Sequence, residues 1–406
     1  MMKISVGQNS EVIALNAVGF LRRLIPVIPE KFFALSLTHF SSIPGLRTLL
    51  FGALFTTFTV GTRANATDSV RSAVQDLVAD TAIPGAVVAY RTAEGRTDTF
   101  AVGYADPETN RPMSPDLVFP VGSVAKPFVC ALFLLLSDEG LVDRETTVGN
   151  FLSVPDFVSE KQIRSLGNHT ARLPDAIRNA DFQKMLVANP SDSWTAQEIL
   201  PFAFEQTEPP EEASIARYSN THTILLGQII EEATKGNLSA LLEEKVFTPF
   251  GMSETYLRLD GIDTRERPRG YRYAKQNWPI GYGDFLTDVT DFNVSWTNAA
   301  GSLFATADDL LRAVGPIATG SYLSEESKTY LFDWADTQTS AVVYGFGIES
   351  WNDWIGHRGD VPGYQAFFAI HNETETKIVV LTNLSNFPKG PGPAESVAET
   401  VLKVLH

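Results

Sequence analysis

PVGSVAKPFVCALFLLL, residues 120–136, decides how the rest of this 406-residue chain is read. After Lys126 the stretch is almost wholly apolar and too long for a typical buried strand, so it predicts a central helix closed by Asp138-Glu139-Gly140. Pro127 has no N–H to donate and is tolerated only in a first turn, which places the helix start near Ser123. Upstream, residues 67–82 (TDSVRSAVQDLVADTA) set Val70, Val74, Leu77 and Val78 on one stripe of an amphipathic helix. The β-rich runs AIPGAVVAYRT (82–92) and RTDTFAVGYA (96–105) then read as a hairpin turning at Ala93-Glu94-Gly95. Downstream the signals stay mostly helical, with long polar loops, to about residue 310. Three strand-like runs follow, YGFGIES (344–350), YQAFFAIH (364–371) and TKIVVLTNL (376–384), and an amphipathic helix spans Ala394 to Leu405. Strands at both chain ends with helices between them imply an α+β fold. One antiparallel sheet, flanked by the N- and C-terminal helices, carries an inserted helical lobe. The expected division is an α/β lobe over about 67–115 and 300–406 and a helical lobe over about 116–299, with a cleft between them.

Composition narrows the function classes. The chain has 48 acidic and 32 basic side chains, and its net charge of −16 argues against a nucleic-acid partner, which needs a basic face. A single cysteine, Cys130, excludes an intramolecular disulfide and a cysteine-rich zinc site. The six histidines (His39, His169, His222, His357, His371 and His406) are dispersed without an H-E-x-x-H pair, so a zinc hydrolase has no support and no metal is expected. Cys130 reads as core packing on the predicted helix.

The first 66 residues differ from the rest. They hold six basic side chains against two acidic ones, +4 of the chain's −16, so residues 67–406 carry −20. Arg47, the apolar run Leu49 to Val60 and the Ala64-Asn65-Ala66 end fit a secretory signal peptide cleaved before Thr67, although the stretch preceding the run is far longer than usual. An uncleaved anchor or a buried helix is the alternative. The run falls short of the roughly 20 residues that a membrane span needs. The expectation is a secreted or periplasmic protein with no stable membrane span after cleavage.

Three motifs carry chemistry. Ser123-Val124-Ala125-Lys126 is the chain's only S-x-x-K; residues three apart share a helix face, so hydroxyl and amine can meet. At a helix start the serine also lies near unpaired N–H groups, and burial of Lys126 would release a neutral amine as a base. Taken alone, the motif reads equally well as an N-cap serine and a solvated lysine. Tyr218-Ser219-Asn220, the only Y-x-N, precedes the apolar run 224–230 on a loop entering a helix. Its phenol can exchange a proton with a hydroxyl or ammonium, and its carboxamide can hold a substrate carbonyl or an amine. His357-Arg358-Gly359, the only [H/K]-x-G, lies at a strand edge where Gly359 would admit a ligand close to the backbone. There the Asp360 N–H can join that of Ser123 as an oxyanion hole. Singly, Tyr218 and His357 each read better as structural residues. Jointly, in this order and on these elements, the three converge on one cleft.

With these boxes the sequence resembles the penicillin-recognising serine hydrolases, specifically the branch of class C β-lactamases and D-alanyl-D-alanine carboxypeptidases. The second and third boxes have the Tyr-x-Asn and His-x-Gly forms typical of the carboxypeptidase-like group. The resemblance covers nearly all of 67–406, including IRSLGNHTARLPD (163–175), FTPFGMSETYL (247–257) and AAGSLFATADDLLRAV (299–314). It implies a two-lobe fold and an active-site serine needing no cofactor. Ser123 would be the acylated nucleophile, Lys126 and Tyr218 would handle its proton, and Asn220 would hold substrate and lysine. His357 would supply polarity opposite Tyr218, with the Ser123 and Asp360 N–H groups as oxyanion hole. Two departures stand out. Arg172 replaces a glycine of the family's N-H-T-S-G box, so that loop is expected to differ. Arg358 replaces the hydroxyl residue that often meets a substrate carboxylate; it can bind a carboxylate itself or point away from the cleft. The implied activity is acyl-enzyme hydrolysis of a small-molecule or peptide amide or ester, most simply by a D-Ala-D-Ala carboxypeptidase-like enzyme or D-amino-acid peptidase, with an esterase, an acyltransferase or a β-lactamase as alternatives. A non-catalytic penicillin-binding sensor is the reading outside enzymes. Oligomeric state is not legible.

Overall fold

The computed structural model describes residues 67–205, 215–261, 263, 265–273, 286–337, 341–385 and 391–406. All of them belong to one compact unit, Ala64–His406. The expected signal peptide lies outside the described residues. Helix α1 (67–80) leads into β1 (Gly85–Arg91), β2 (Thr97–Asp106) and β3 (Arg111–Pro112), and a turn of 3-10 helix at Gly122–Val124 leads into α2 (Ala125–Asp138). Strand β4 (Ile215–Ala216) precedes α3 (Asn220–Thr234), and α4 spans Ala307–Thr319. The chain then forms β5 (Ala335–Thr337), β6 (Val342–Tyr344), β7 (Glu349–Trp351), β8 (Trp354–Val361), β9 (Tyr364–His371), β10 (Lys377–Thr382) and α5 (Pro393–Leu405).

These strands make a ten-stranded sheet in the order β3-β2-β1-β10-β9-β8-β7-β6-β5-β4. Strand β1 pairs antiparallel with β10, third and fourth from the β3 edge, which joins the first and last strands of the sheet in chain order; only β4 on β5 is parallel. The period-2 alternation of β9 shows how each face is covered. Phe367 packs with α1 and α5 through Val70, Val74, Val397 and Val401. Phe368 faces the other way, onto α2, where its ring meets that of Phe128 at 5.7 Å, and α4 covers the same face through Leu310, Ala313 and Val314. Among the described residues no helix is long and apolar enough to cross a membrane.

One strand departs from expectation. The run 344–350 breaks into β6 and β7 because Gly347 turns with φ +81°, where an added Cβ would strike the Cys130 side chain. Periodicity reads the apolar residues of that run but not the helix pressed against its middle. Cys130 itself is buried in the α2 core, as expected.

Candidate active site

Ser123 is presented by a backbone clamp. Phe119 and Pro120 pair with Phe304 and Ala305, and the Val121 N–H donates to the Leu303 carbonyl at 2.9 Å. Gly122 then adopts φ +54°, a left-handed conformation that glycine takes without steric cost. An added Cβ there would lie 3.0 Å from both the N and the O of Asp360, so the serine turn rests directly on β8. Gly359 has the same purpose. A Cβ on it would fall on the Val121 carbonyl oxygen, so the group approaching this glycine is the chain's own serine turn and not the ligand expected from the sequence. The third box thus builds the site from beneath.

Strand β8 reaches beyond its neighbour: β7 pairs with it only over Trp354–Gly356, leaving the edge open from His357 onward. The Arg358 N–H donates to Glu349 Oε1 at 2.9 Å across that edge, away from β9. Strand parity sends the Asp360 N–H, two residues on, to the same open side, beside the Ser123 turn. The Asp360 carboxylate accepts from Gln365 Nε2 at 3.0 Å.

The first two boxes meet at the serine hydroxyl. Lys126 Nζ lies 3.0 Å from Ser123 Oγ, 2.8 Å from Asn220 Oδ1 and 2.9 Å from the Ala300 carbonyl oxygen. Tyr218, on the extended segment before α3, donates from Oη to Ser123 Oγ at 2.8 Å. Lys126 is wholly buried, and burial pulls its pKa down to about 7 against the attraction of Asp175, Cys130 and Glu349. Burial holds the Tyr218 phenol well above its ordinary value despite the hydrogen bond to Ser123. The serine therefore sits between an amine that can be neutral near pH 7 and a phenol that stays protonated.

His357 closes the wall opposite. Its Nδ1 lies 2.6 Å from the Arg358 carbonyl oxygen and its Nε2 2.6 Å from Tyr344 Oη. A carbonyl only accepts, so Nδ1 carries the hydrogen and Nε2 accepts from Tyr344. Burial pushes its pKa to about 4, against the pull of Glu349, and leaves the ring neutral. Arg358 alternates to the far face of the sheet. Its guanidinium meets Glu349 through Nε at 3.0 Å and through a terminal nitrogen at 2.9 Å, lies 3.6 Å from Glu395, and stacks over Trp351 at 4.5 Å. The structure thus removes Arg358 from the candidate substrate contacts, and the cause is strand parity reinforced by the buried Glu349 and the half-buried Glu395.

Several groups at the site were not singled out in the sequence. Asp175 accepts from Asn220 Nδ2 at 3.0 Å, and Tyr344, Glu349 and the Ala300 carbonyl hold the residues described above. The box at 168–172 supplies a buried histidine pair: His169 Nδ1 and His222 Nδ1 are 2.7 Å apart, and the His169 ring lies 4.6 Å from that of Tyr218. Arg172 keeps the left-handed backbone, φ +59°, that a glycine would have taken, so the turn persists without its usual residue. The available signal for Asp175 was its place directly after that box, in the 163–175 stretch; the carbonyl of Ala300 leaves no mark in side-chain identity.

The profile of the beta-lactamase family matches residues 70–402. The chain belongs to the beta-lactamase family. Among family relatives, Penicillin-binding protein 4* of Bacillus subtilis (strain 168) is 28% identical over 297 residues, which cover 69% of this chain and 64% of the relative. A D-aminopeptidase of Gluconobacter oxydans (strain 621H) is 25% identical over 52% of this chain and 37% of its own length. The match therefore spans less than two thirds of either relative. A solved structure of D-amino acid amidase from Ochrobactrum anthropi SV3, complexed with D-phenylalanine, superposes with a TM-score of 0.73 and 25% identity, covering 84% of this chain and 99% of that one. All three boxes, at Ser123–Lys126, Tyr218–Asn220 and His357–Gly359, lie within the residues that the family profile matches.

Proposed function

We propose that this serine hydrolase acts through an acyl-enzyme on small amides or esters of D-amino acids, D-peptides included. The observation that carries the reading is Ser123 Oγ held at hydrogen-bond distance between Lys126 Nζ and Tyr218 Oη. With the amine neutral, its two hydrogens go to Asn220 Oδ1 and the Ala300 carbonyl, and its lone pair is left for the Ser123 hydroxyl hydrogen. Ser123 Oγ then attacks the substrate carbonyl as Lys126 takes that proton. The developing oxyanion faces the N–H groups of Ser123 and Asp360, where each such donor is worth about 100- to 1000-fold. Tyr218, protonated and within reach of the same oxygen, passes a proton to the leaving nitrogen or oxygen and recovers one from Lys126. Water repeats the sequence to release the acid.

Similarity to a D-amino acid amidase and a D-aminopeptidase supports the D-configuration. The position of Arg358 supports an uncharged amide or ester over a free carboxyl terminus, because its guanidinium is held by Glu349 and Glu395 on the far face and leaves a substrate carboxylate no partner at that residue. Export before action remains part of the proposal, on the amino-terminal pattern.

Intact-mass measurement after exposure to a penicillin and to a fluorophosphonate tests the reading, beside turnover of a D-amino acid amide, a D-Ala-D-Ala peptide, a chromogenic cephalosporin and a p-nitrophenyl ester. We expect an adduct on Ser123 and turnover of the D-amide above its L-enantiomer. No adduct from either reagent would leave a non-catalytic sensor, and ester turnover alone would make the protein an esterase.

A further inference from the structure

We propose that Asp175 is a positioning residue of this site: by accepting an amide hydrogen of Asn220 it turns the Asn220 carbonyl oxygen onto Lys126 and so aims the lysine lone pair at Ser123. The inference rests on the acyl-enzyme reading above. A carboxylate only accepts, so the end of the Asn220 amide that meets Asp175 Oδ2 at 3.0 Å is Nδ2, and Oδ1 is the end left 2.8 Å from Lys126 Nζ. With the amide reversed, its NH2 would donate into the lysine lone pair and draw it away from the serine.

Asp175 is itself fixed. Its Oδ1 caps the turn Ala176–Arg178 by accepting the Ile177 N–H at 3.1 Å, and Arg178 lies 3.6 Å from Oδ2. The same turn is tied to the start of α3: Thr221 Oγ1 accepts the Ala176 N–H at 3.0 Å and donates to the Pro174 carbonyl at 2.8 Å, which also accepts from Ser219 Oγ at 3.2 Å. The carboxylate and Asn220 thus move as one body, and the carboxylate is buried, with 5% of its side chain exposed. Its charge also acts on Lys126. The other ionisable groups facing that amine are Cys130 from α2, Tyr218 and His222 from α3 and its approach, His169 from the preceding box, and Glu349 and His357 from the sheet.

Asp175→Asn tests the assignment, read as the rate of fluorophosphonate labelling of Ser123 against pH. In this variant the Ile177 N–H still requires the side-chain oxygen, so the new NH2 faces Asn220, which must turn its oxygen toward it and its NH2 toward Lys126. We expect labelling slowed by about a hundredfold. The acid limb should move to lower pH, because a negative charge has left the surroundings of the amine and its protonated form is less favoured. In the reciprocal variant, Asp175→Asn with Asn220→Asp, an acceptor again faces Lys126. It should regain at least about tenfold of the lost rate with the limb moved above its wild-type position, and it keeps the total charge should the single variant fold poorly. A purely structural role predicts a lower thermal midpoint with the limb unmoved in both variants, and that result overturns the proposal. So does wild-type labelling in Asp175→Asn. Failure of the wild-type protein to label at all would overturn the acyl-enzyme reading instead.

Discussion

An ammonium loses its hydration when it is buried, and Lys126 is buried on every side by α2, α3 and the loop ending at Ala300. The pull of Asp175 and Glu349 offsets only part of that cost, so the amine titrates at about 7. The sign of the consequence follows directly. The reactive form is the neutral amine, so acylation rises with pH through about 7 and falls about tenfold per unit below it. Lys126→Ala should lower fluorophosphonate labelling at least about a hundredfold and erase that limb. Tyr218→Phe should cost a similar factor while leaving the limb in place, because the base is still present. A limb that survives in Lys126→Ala, or near-native rates in both variants, would refute these assignments. At this scale the sequence singled out Ser123, Lys126, Tyr218, Asn220 and His357, which the structure brings together, because uncommon side chains at fixed spacing stand out by their chemistry. It could not orient Arg358, whose direction depends on strand parity and on Glu349 nine residues away, nor reveal Asp175, whose contact with Asn220 spans 45 positions.

Elements set the distances that residues exploit. The nucleophile turn and β8 touch backbone to backbone, with glycine on both sides of the contact at Gly122 and Gly359. Gly359→Ala needs no unusual backbone angle, so its effect isolates the contact itself: the new methyl falls on the Val121 carbonyl and must push the turn from the strand. Since a shift of about 1 Å in a reacting group can cost about a hundredfold, Gly359→Ala should lower kcat by that order, with stability lowered by about 1–3 kcal/mol. Steady-state kinetics beside thermal unfolding checks it. Unchanged kcat would mean that the turn and the strand are not rigidly coupled. The glycine was conspicuous in the sequence, but its purpose was misread, because a motif reports that something approaches closely without reporting what. The split between β6 and β7 was hidden for the same reason: Gly347 answers to Cys130 on α2, a neighbour that no local pattern encodes. Strands β1, β9 and β10 were legible because both of their faces are packed, which makes each a near-continuous apolar β-rich run bounded by turn residues.

The whole molecule adds two things that neither scale contains. One is closure: β1 and β10 pair through six residues inside the sheet, so the first and last parts of the domain fold on each other and the helical residues between them are held as an insertion over the site. Strands at both ends of the sequence made this legible in outline, whereas the parallel pairing of β4 with β5 was not, since it joins two short strands far apart in the chain that carry no apolar pattern of their own. The other is field. Residues 67–406 carry −20, and a charge of that size biases encounter before any contact forms. A D-amino acid amide with a free α-ammonium should be drawn in, a neutral N-acylated ester should be indifferent, and a substrate ending in a carboxylate should be repelled. Raising ionic strength from about 10 mM to about 150 mM shortens the screening length from about 30 Å to about 8 Å. Over that range kcat/KM should fall severalfold for the cationic amide, hold for the neutral ester and rise for the anionic peptide. The ordering matters more than the sizes, because uniform loss of activity with salt would move all three together. Equal slopes would show that the acidity serves solubility alone and leaves substrate choice to the cleft.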